Sequence, residues 1–477
     1  MGIKAFLKKE KDTEPMDAPR PYPPSDKDDS LEEAYGHSTH IQTGGGDGLH
    51  ADSENYKTLG RWRACALLIN IEVGIGILSL PAALKTLGLI PGIIAILGFG
   101  VLTTYCGYIL VQFYKRYPTV SNLVDCAHIV NKRFGIFFAG AFILNLVLIC
   151  ASANITMSVA LNTLSDHALC TVAFMAFPHI VCWMLCLPRK LTFAALMSWI
   201  CTASIVAAVL IVMIALGVSG PRAPPGFDVE ITLVGKPTFV ETVNALLNIA
   251  FAFAGNQSFL NVMAEMRDAS KDFPPALFTQ KSFEVVLYVV VACVIYGLAG
   301  DAVTSPALGS AAEIPAKIAY GILIPCVLGT GLVIGLTAIK YMYVAIMRKV
   351  KPHQVNVHNT FTWTLWIGLG TLFWIVTFVV SNSIPIFNSV LNISAALFIS
   401  WFTFGLTSIL YFFLFWNTKL SSPKMTALTA FNCVIVLLTV FFMVGGLYTS
   451  LSALIDVFND PDSTLNGPFT CADNSIF

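Results

Sequence analysis

The sequence predicts an all-α polytopic membrane protein with about eleven transmembrane helices, arranged as two inverted five-helix repeats and one further helix. Three observations support this prediction. The 477 residues are 56% hydrophobic and only 12% charged, with a mean hydropathy of +0.73, whereas soluble domains carry about a quarter charged residues. Eleven apolar stretches are long enough to cross a bilayer. Two of them, at corresponding places in the two halves, are interrupted by glycine and polar residues.

The N-terminal residues 1–60 are predicted to be a disordered cytoplasmic tail, because they are rich in proline and charge and show no hydrophobic period. No signal-peptide pattern occurs there, so the first apolar stretch is expected to direct insertion. The tail lysines are candidate sites for the ubiquitin machinery, and a solvated tail without that role is the alternative. These lysines are Lys4, Lys8, Lys9, Lys11, Lys27 and Lys57.

A membrane-spanning helix needs roughly 20 mostly apolar residues. We number the qualifying stretches as segments 1 to 11 in chain order. They run approximately over 64–84, 90–113, 136–161, 168–187, 192–219, 240–264, 284–303, 314–346, 361–381, 385–416 and 426–452.

Lysine and arginine set the predicted orientation, because cytoplasmic loops carry the excess of both. With the N-terminus inside, the inner loops hold 14 of them against four in the outer loops. The inner set is Lys115, Arg116, Lys132, Arg133, Arg189, Lys190, Arg267, Lys271, Lys281, Arg348, Lys349, Lys351, Lys419 and Lys424. The outer set is Lys85, Arg222, Lys236 and Lys317.

The longest predicted outer loop divides the chain into two halves of five segments. Because five is odd, the second half enters the membrane from the opposite side, which is the geometry of an inverted repeat. The predicted organisation is a first repeat over 61–219, an extracellular loop over 220–239, a second repeat over 240–416, segment 11 within 417–452, and a short extracellular tail over 453–477.

Segments 1 and 6 each contain an interruption, "VGIGIL" at 73–78 and "FAFAGNQSF" at 251–259. Glycine costs about 1 kcal/mol in a helix interior. Unwound backbone in a membrane is tolerated where it is buried in protein or lines a cavity, and its freed N–H and C=O groups can hold a zwitterion or an ion. Packing of small residues between helices is the alternative. The candidate substrate-binding residues are Gly74, Ile75, Gly76, Ile77, Phe251, Phe253, Ala254, Gly255 and Asn256.

Glu72 is interpreted as the one acidic residue deep within a segment. Intramembrane carboxylates often belong to ion pathways or proton relays, so Glu72 is a candidate for proton coupling. A neutral or structurally paired glutamate is the alternative.

Lys340 is interpreted as the one deep base. Its side chain could reach the cytoplasmic surface, replace a bound sodium ion or pair with Glu72. Asn70 and Thr337, each near a charged candidate, are candidate cation ligands, with helix packing as the alternative.

Several other functions are disfavoured by the sequence. The formal net charge is zero and the basic residues form no single patch, so no nucleic-acid partner is expected. No cluster of a nucleophile with a base recurs at one depth, so an enzyme is not expected. Most of the twelve cysteines lie in apolar stretches and none forms a CxxC pair, so we expect neither a zinc site nor a disulfide framework. Cys471, in the predicted outer tail, is a candidate for oxidation.

Two motifs resemble those of the amino acid/auxin permease family, which shares the leucine-transporter type of five-plus-five repeat. "NIEVGIGILSLP" at 70–81 is similar to the family's pattern of asparagine, glycine-x-glycine and proline. "FAFAGNQSFLNVMAEMRD" at 251–268 is similar to its second signature, an F-x-F-x-G run followed by a Glu-Met pair and a basic residue. The resemblance covers about 60–452.

The resemblance is strongest to the fungal neutral amino acid permeases of the methyltryptophan-resistance type. It implies a plasma-membrane symporter that imports aliphatic and aromatic amino acids with protons by alternating access, as segments 1, 2, 6 and 7 rock against the rest. The implied partners are neutral L-amino acids and membrane lipid, and no cofactor is expected besides the co-transported proton. Phe251, Phe253 and Phe259 could form an apolar wall for the substrate, and Asn154, Asn388 and Asn392 are further polar candidates.

One departure from the family pattern affects the coupling assignment. Many members have histidine after the segment 6 glycine, where this chain has Asn256, so coupling would fall on Glu72 or Lys340. By carry-over from sodium-coupled relatives, Asn70 and Thr337 would instead hold sodium. A sodium-coupled transporter, a vacuolar transporter and a non-transporting amino acid sensor of the same fold stay open as alternatives.

Overall fold

The computed structural model describes residues 59–189, 191–223, 228–351, 359–384, 386–459 and 468–474, with the side chains of 191–198 left aside. The predicted tail lysines lie outside the described residues. Residues 59 and 60, assigned to that tail, are part of the structure. Leu59 pairs through its backbone with Glu265 and Arg267, because its N–H donates to the Glu265 carbonyl and its own carbonyl accepts from Arg267.

Every predicted segment coincides with helix. Segment 1 consists of the helix Arg61–Glu72, a 3₁₀ turn at Ile75–Ser79 and the helix Leu80–Leu87. Segment 6 has the same order, with the helix Phe239–Ala252, a 3₁₀ turn at Ala254–Ser258 and the helix Phe259–Glu265. The remaining segments are Leu89–Arg116, Lys132–Ser165, Thr171–Leu185, Leu191–Ser219, Ala269–Ala299, Glu313–Val350, Thr360–Ser383, Phe387–Phe415 and Pro423–Asn459, the last two with π-helical turns at Ala395–Gly405 and Phe442–Gly446. A short helix, Leu123–Val130, precedes segment 3.

Eight of these helices within the described residues are long and apolar enough to span a membrane, and the bent pair of segment 1 adds a ninth. Segment 4 is shorter, and segment 6 is divided by its break. The chain is therefore a multi-pass membrane protein, while the count of eleven crossings stays a prediction.

The helices pack in two groups around the breaks. Segment 7 lies against segments 1 and 2, and segment 6 contacts the second half of segment 1. Segment 8 lies against segments 3, 5 and 9, and segments 3, 4 and 9 contact one another. Both interrupted helices therefore belong to the group that contains segment 7.

Backbone hydrogen bonds and a disulfide connect segment ends on the side that is predicted to be extracellular. The carbonyls of Thr232 and Leu233, in the loop predicted as extracellular, accept from the first amides of segment 2 at 3.0 Å each. Cys471 forms a disulfide with Cys170, at the start of segment 4. The expectation that Cys471 is oxidised is confirmed, and Cys170, which directly precedes the helix Thr171–Leu185, is its partner.

Candidate functional site

The two helix breaks lie directly against each other. Segment 1 bends by 46° between Glu72 and Ile75. A Cβ atom placed on Gly76 would lie 2.8 Å from the Cα of Ala252, which a real side chain could not occupy. Glycine at position 76 is therefore required for close packing against Ala252. At Gly74 an added Cβ would meet nothing within 4 Å, and the substrate-binding role of both glycines stays a prediction.

Glu72 ends the first half of segment 1 and points its carboxylate at the break of segment 6. Its Oε1 accepts from the backbone N–H of Gly255 at 3.2 Å, and its Oε2 accepts from Gln280 Nε2 at 2.5 Å. The same carboxylate forms an ion pair with Lys281. Three donors from segments 6 and 7 thus hold one carboxylate that is 1% exposed.

Lys281 joins a second carboxylate to the first. Its Nζ lies 3.1 Å from Glu284 Oε2, and Gln280 Nε2 donates to the same oxygen at 2.9 Å. Lys281 is 2% exposed and Glu284 is fully buried. We call Glu72, Gln280, Lys281 and Glu284 the buried charge cluster.

The cluster corrects three sequence interpretations. Glu72 is not the only deep acid, because Glu284 is also buried. Lys340 is not the only deep base, and Lys281 does not belong to an inner loop. Glu72 forms its ion pair with Lys281, not with Lys340. Lys340 is half-buried on segment 8 and has interactions of its own.

These errors have one cause, the start assigned to segment 7. The charged and proline-containing stretch before residue 284 was interpreted as a loop, yet the helix begins at Ala269 and contains Pro274 and Pro275 in its early turns. Lys281 lies 12 residues into that helix, about 18 Å along its axis. A signal was present, since Gln280, Lys281, Glu284 and Tyr288 follow the spacing of one helix face.

Tyr288 connects the two breaks from segment 7. Its hydroxyl lies 3.1 Å from the carbonyl oxygen of Glu72 and 3.0 Å from that of Ala252. Each carbonyl belongs to the last helical residue before a break. The hydroxyl is therefore placed to satisfy backbone groups that the breaks release.

Aromatic rings of segment 6 surround the Lys281 ammonium. Its Nζ lies 5.5 Å from the centroid of Phe253 and 5.6 Å from that of Phe259, distances that allow cation–π attraction. Phe253 also packs edge-on against Tyr288 at 5.1 Å. Phe253 and Phe259 thus enclose the cluster, and Phe251 is buried beside Gly76.

The other polar candidates lie in different surroundings. Asn256 Nδ2 donates to the Thr103 carbonyl at 3.0 Å, while its Oδ1 has no partner among the described residues. Asn70 is buried, and neither polar atom of its amide has a described partner. The Thr337 hydroxyl donates to the Val333 carbonyl of its own helix at 2.8 Å.

A polar bridge links segment 6 to segments 3 and 10. Asn145 Nδ2 donates to Gln257 Oε1 at 2.8 Å, and the Ser394 hydroxyl donates to Asn145 Oδ1 at 3.1 Å. The sequence interpretation missed these residues. It named instead Asn154, which faces His179 at 3.3 Å, and Asn388, which accepts from Ser305 at 2.8 Å.

The sequence profile of the family described as "Transmembrane amino acid transporter protein" matches residues 57–452. The chain belongs to this family, the amino acid/auxin permeases. The matched range of this permease contains both breaks, the buried charge cluster and the polar bridge.

Fungal and plant proteins are similar to the permease over most or part of its length. It is 28% identical to the "N amino acid transport system protein" of Neurospora crassa, over 87% of this chain and 89% of that protein. It is also 28% identical to a "Transmembrane transporter" of Fusarium pseudograminearum, over 90% of each chain. Identity to "Amino acid permease 8" of Arabidopsis thaliana is 24%, over 56% of this chain and 63% of that protein.

Solved structures show the same fold at low sequence identity. A manganese transporter from Eremococcus coleocola matches the permease with a TM-score of 0.53 and 12% identity, covering 88% of this chain and 94% of that one. A Na⁺-coupled sialic acid symporter matches with a TM-score of 0.51 and 11% identity, over 88% and 96%. The fold is that of the leucine-transporter type.

Proposed function

We propose that the permease imports neutral aliphatic and aromatic amino acids by proton symport with alternating access. The observation that carries this proposal is the buried charge cluster, which joins the break of segment 1 to the break of segment 6 through Glu72 and Gly255. Family membership supports amino acids as the substrate class. A change in protonation within the cluster would alter contacts at both breaks at once.

The breaks are the proposed substrate site. A substrate carboxylate would be held by backbone N–H groups freed at Gly74 to Ile77, at the positive end of a half-helix. The ammonium would face carbonyls freed near Phe253 to Asn256. Phe251, beside Gly76, and the neighbouring rings give an apolar surface suited to a large neutral side chain.

The division of the helices into two packing groups supports the proposed alternating access. Segments 1, 6 and 7 share the cluster and segment 2 packs against segment 7, so these four segments can move together without separating the charges. The contacts that must change lie between this group and segments 3, 8 and 10. Asn145, Gln257 and Ser394 form one such contact.

The proposed location is the plasma membrane. The proposed activity is transport, rather than catalysis or amino acid sensing. Saturable flux in a reconstituted system separates a transporter from a sensor. Uptake at the surface of intact cells separates plasma-membrane import from vacuolar transport.

Proteoliposomes provide the first test. Uptake of labelled leucine and phenylalanine is measured without sodium under an inward proton gradient, for the natural protein, Glu72→Gln and Glu313→Gln. Glu313 is an exposed acid at the start of segment 8 and serves as the matched control. We expect accumulation that follows the gradient in the natural protein and the control, and its loss in Glu72→Gln.

Two other uptake results would contradict proton coupling through Glu72. Uptake that requires sodium and ignores the proton gradient would place coupling on a cation near Asn70 and Thr337, whose amide and hydroxyl supply oxygen ligands. Gradient-driven uptake that persists in Glu72→Gln would remove Glu72 from coupling.

A further inference from the structure

The buried charge cluster contains one more carboxylate than it has ammonium groups. Glu72 and Glu284 both contact Lys281, and all three side chains are at most 2% exposed. Among the described residues, the other ionisable groups near the cluster are Tyr288 on the same helix and Cys106 on segment 2, both buried and neither cationic. If both glutamates were ionised, the site would hold an uncompensated negative charge away from water, which is costly. One proton therefore belongs to the pair of carboxyl groups.

Glu72 is the better anion of the two. Its two oxygens accept from three donors, namely the Gly255 amide, the Gln280 side chain and the Lys281 ammonium. A backbone N–H can only donate, so its position 3.2 Å from Oε1 favours the ionised form of that carboxylate. Protonation of Glu72 would weaken contacts on both oxygens.

Glu284 differs at one oxygen. Its Oε2 faces Lys281 and Gln280 at 3.1 and 2.9 Å, but its Oε1 has no hydrogen-bond partner among the described residues and is buried. An anion with an oxygen lacking a donor costs more in a buried site than a neutral carboxyl group does. The asymmetry between the two glutamates thus comes from the number of donors that face each one.

We propose that Glu284 is the residue that carries the coupled proton, while Glu72 stays ionised and holds the two breaks together. This rests on the proposed function for its role in transport. Loading converts the Glu284 carboxylate to a carboxyl group, with no other bond formed or broken, and changes the formal charge of the cluster from minus one to zero. Release of the proton restores the negative charge, and Lys281 then faces two anions instead of one.

Infrared difference spectroscopy of the purified full-length protein in lipid is the test, because a protonated carboxyl group has a C=O stretching band that a carboxylate lacks. Glu72 and Glu284 are the acidic residues buried within the described ranges. Spectra are compared between acidic and alkaline buffer, and after exchange into D₂O, for the natural protein, Glu284→Asp, Glu72→Asp and Glu284→Gln.

We expect a buried carboxyl band in the natural protein that shifts in Glu284→Asp and stays in place in Glu72→Asp. The band should disappear in Glu284→Gln, because one carboxylate then remains for one ammonium. Because Glu284→Asp keeps a carboxyl group, it preserves the test if Glu284→Gln does not fold. A band that shifts in Glu72→Asp and not in Glu284→Asp would overturn the proposal, and so would absence of any such band in the natural protein.

The spectroscopic result is independent of flux. If uptake proves to be sodium-driven while the band still follows Glu284, the proposed proton symport fails and the assignment of the buried proton stands. If uptake is proton-driven while the band follows Glu72, the proposed proton symport stands and the assignment of the buried proton to Glu284 fails.

Discussion

The backbone amide of Gly255 donates to the carboxylate of Glu72 at 3.2 Å, across the junction of the two broken helices. A Cβ atom on residue 255 would lie 2.7 Å from both oxygens of that carboxylate. Glycine is therefore required at this position by close approach of an acid to the backbone, not by an unusual φ angle. Through this hydrogen bond, a movement of segment 6 at Gly255 would directly displace the Glu72 carboxylate at the end of the first helix of segment 1.

Gly255→Ala should displace the Glu72 carboxylate and reduce proton-driven uptake at least tenfold, because the added methyl group cannot fit beside it. Gly217→Ala is the control, since its Cβ would be 4.0 Å from Leu298 in ordinary contact. Uptake and the thermal unfolding midpoint of both variants in detergent provide the measurement. Equal behaviour of the two variants would contradict the close approach.

Lys281→Met should destabilise the protein by about 3–5 kcal/mol, because removing one partner leaves buried charge without compensation. The double variant Lys281→Met/Glu284→Gln should recover part of the loss. Lys317→Met, which removes a lysine from ion pairs at the protein surface, should have a much smaller effect. Chemical unfolding of the purified proteins gives the free energy of unfolding of all three variants. A double variant that is less stable than Lys281→Met would argue against the ion pair.

Tyr288→Phe should lower stability by about 1–3 kcal/mol, since it leaves buried carbonyls at both breaks without their hydroxyl donor. Transport should fall further than in Tyr296→Phe, whose hydroxyl contacts Thr232 in the outer loop at 3.0 Å. The ratio of uptake rates, normalised to folded protein, compares the two. A larger defect in Tyr296→Phe would show that the hydroxyl at the breaks is dispensable.

Asn145→Ala should favour opening on the side predicted as cytoplasmic, because Asn145 bridges Gln257, which lies on that side of the segment 6 break, to Ser394 of segment 10. We expect faster efflux and lower accumulation of substrate. Gln257→Ala should give the same phenotype, and the double variant should add little, since residues of one hydrogen-bonded bridge are not additive. Fully additive effects would mean that the two side chains act separately.

Cys471 should resist thiol labelling until the protein is reduced, because it forms a disulfide with Cys170. Disulfides persist in oxidising compartments, so a membrane-impermeant maleimide should label intact cells only after reductant. Cys170→Ser should expose Cys471 without reductant. Labelling only after the plasma membrane is permeabilised would favour the vacuolar location or an inner tail.

The breaks could be predicted from the sequence because glycine and polar residues stand out within apolar runs. Gly74, Gly76 and Gly255 occur where helical geometry gives way to 3₁₀ turns. The family and the fold class could be predicted for the same reason, since hydropathy and two local motifs determine both.

The charge cluster could not be found by the same method. A hydropathy profile assigns a lysine such as Lys281 to a solvent-exposed loop. In the structure its charge is neutralised by Glu72, a residue 209 positions away in the chain. Partners at that separation are brought together by packing of segments 1 and 7. The helix-face spacing of residues 280, 281, 284 and 288 was the local signal, and the prolines before it concealed the helix.

The hydroxyl of Tyr288 has a single hydrogen atom, yet two carbonyl oxygens lie within reach of it. At any instant it can bond fully to one of them and only weakly to the other. The helix ends at the two breaks therefore cannot both be fully hydrogen-bonded to Tyr288 at the same moment. If the hydroxyl turned its hydrogen from the Glu72 carbonyl to the Ala252 carbonyl, the stronger hydrogen bond would pass from segment 1 to segment 6 while every side chain stayed in place.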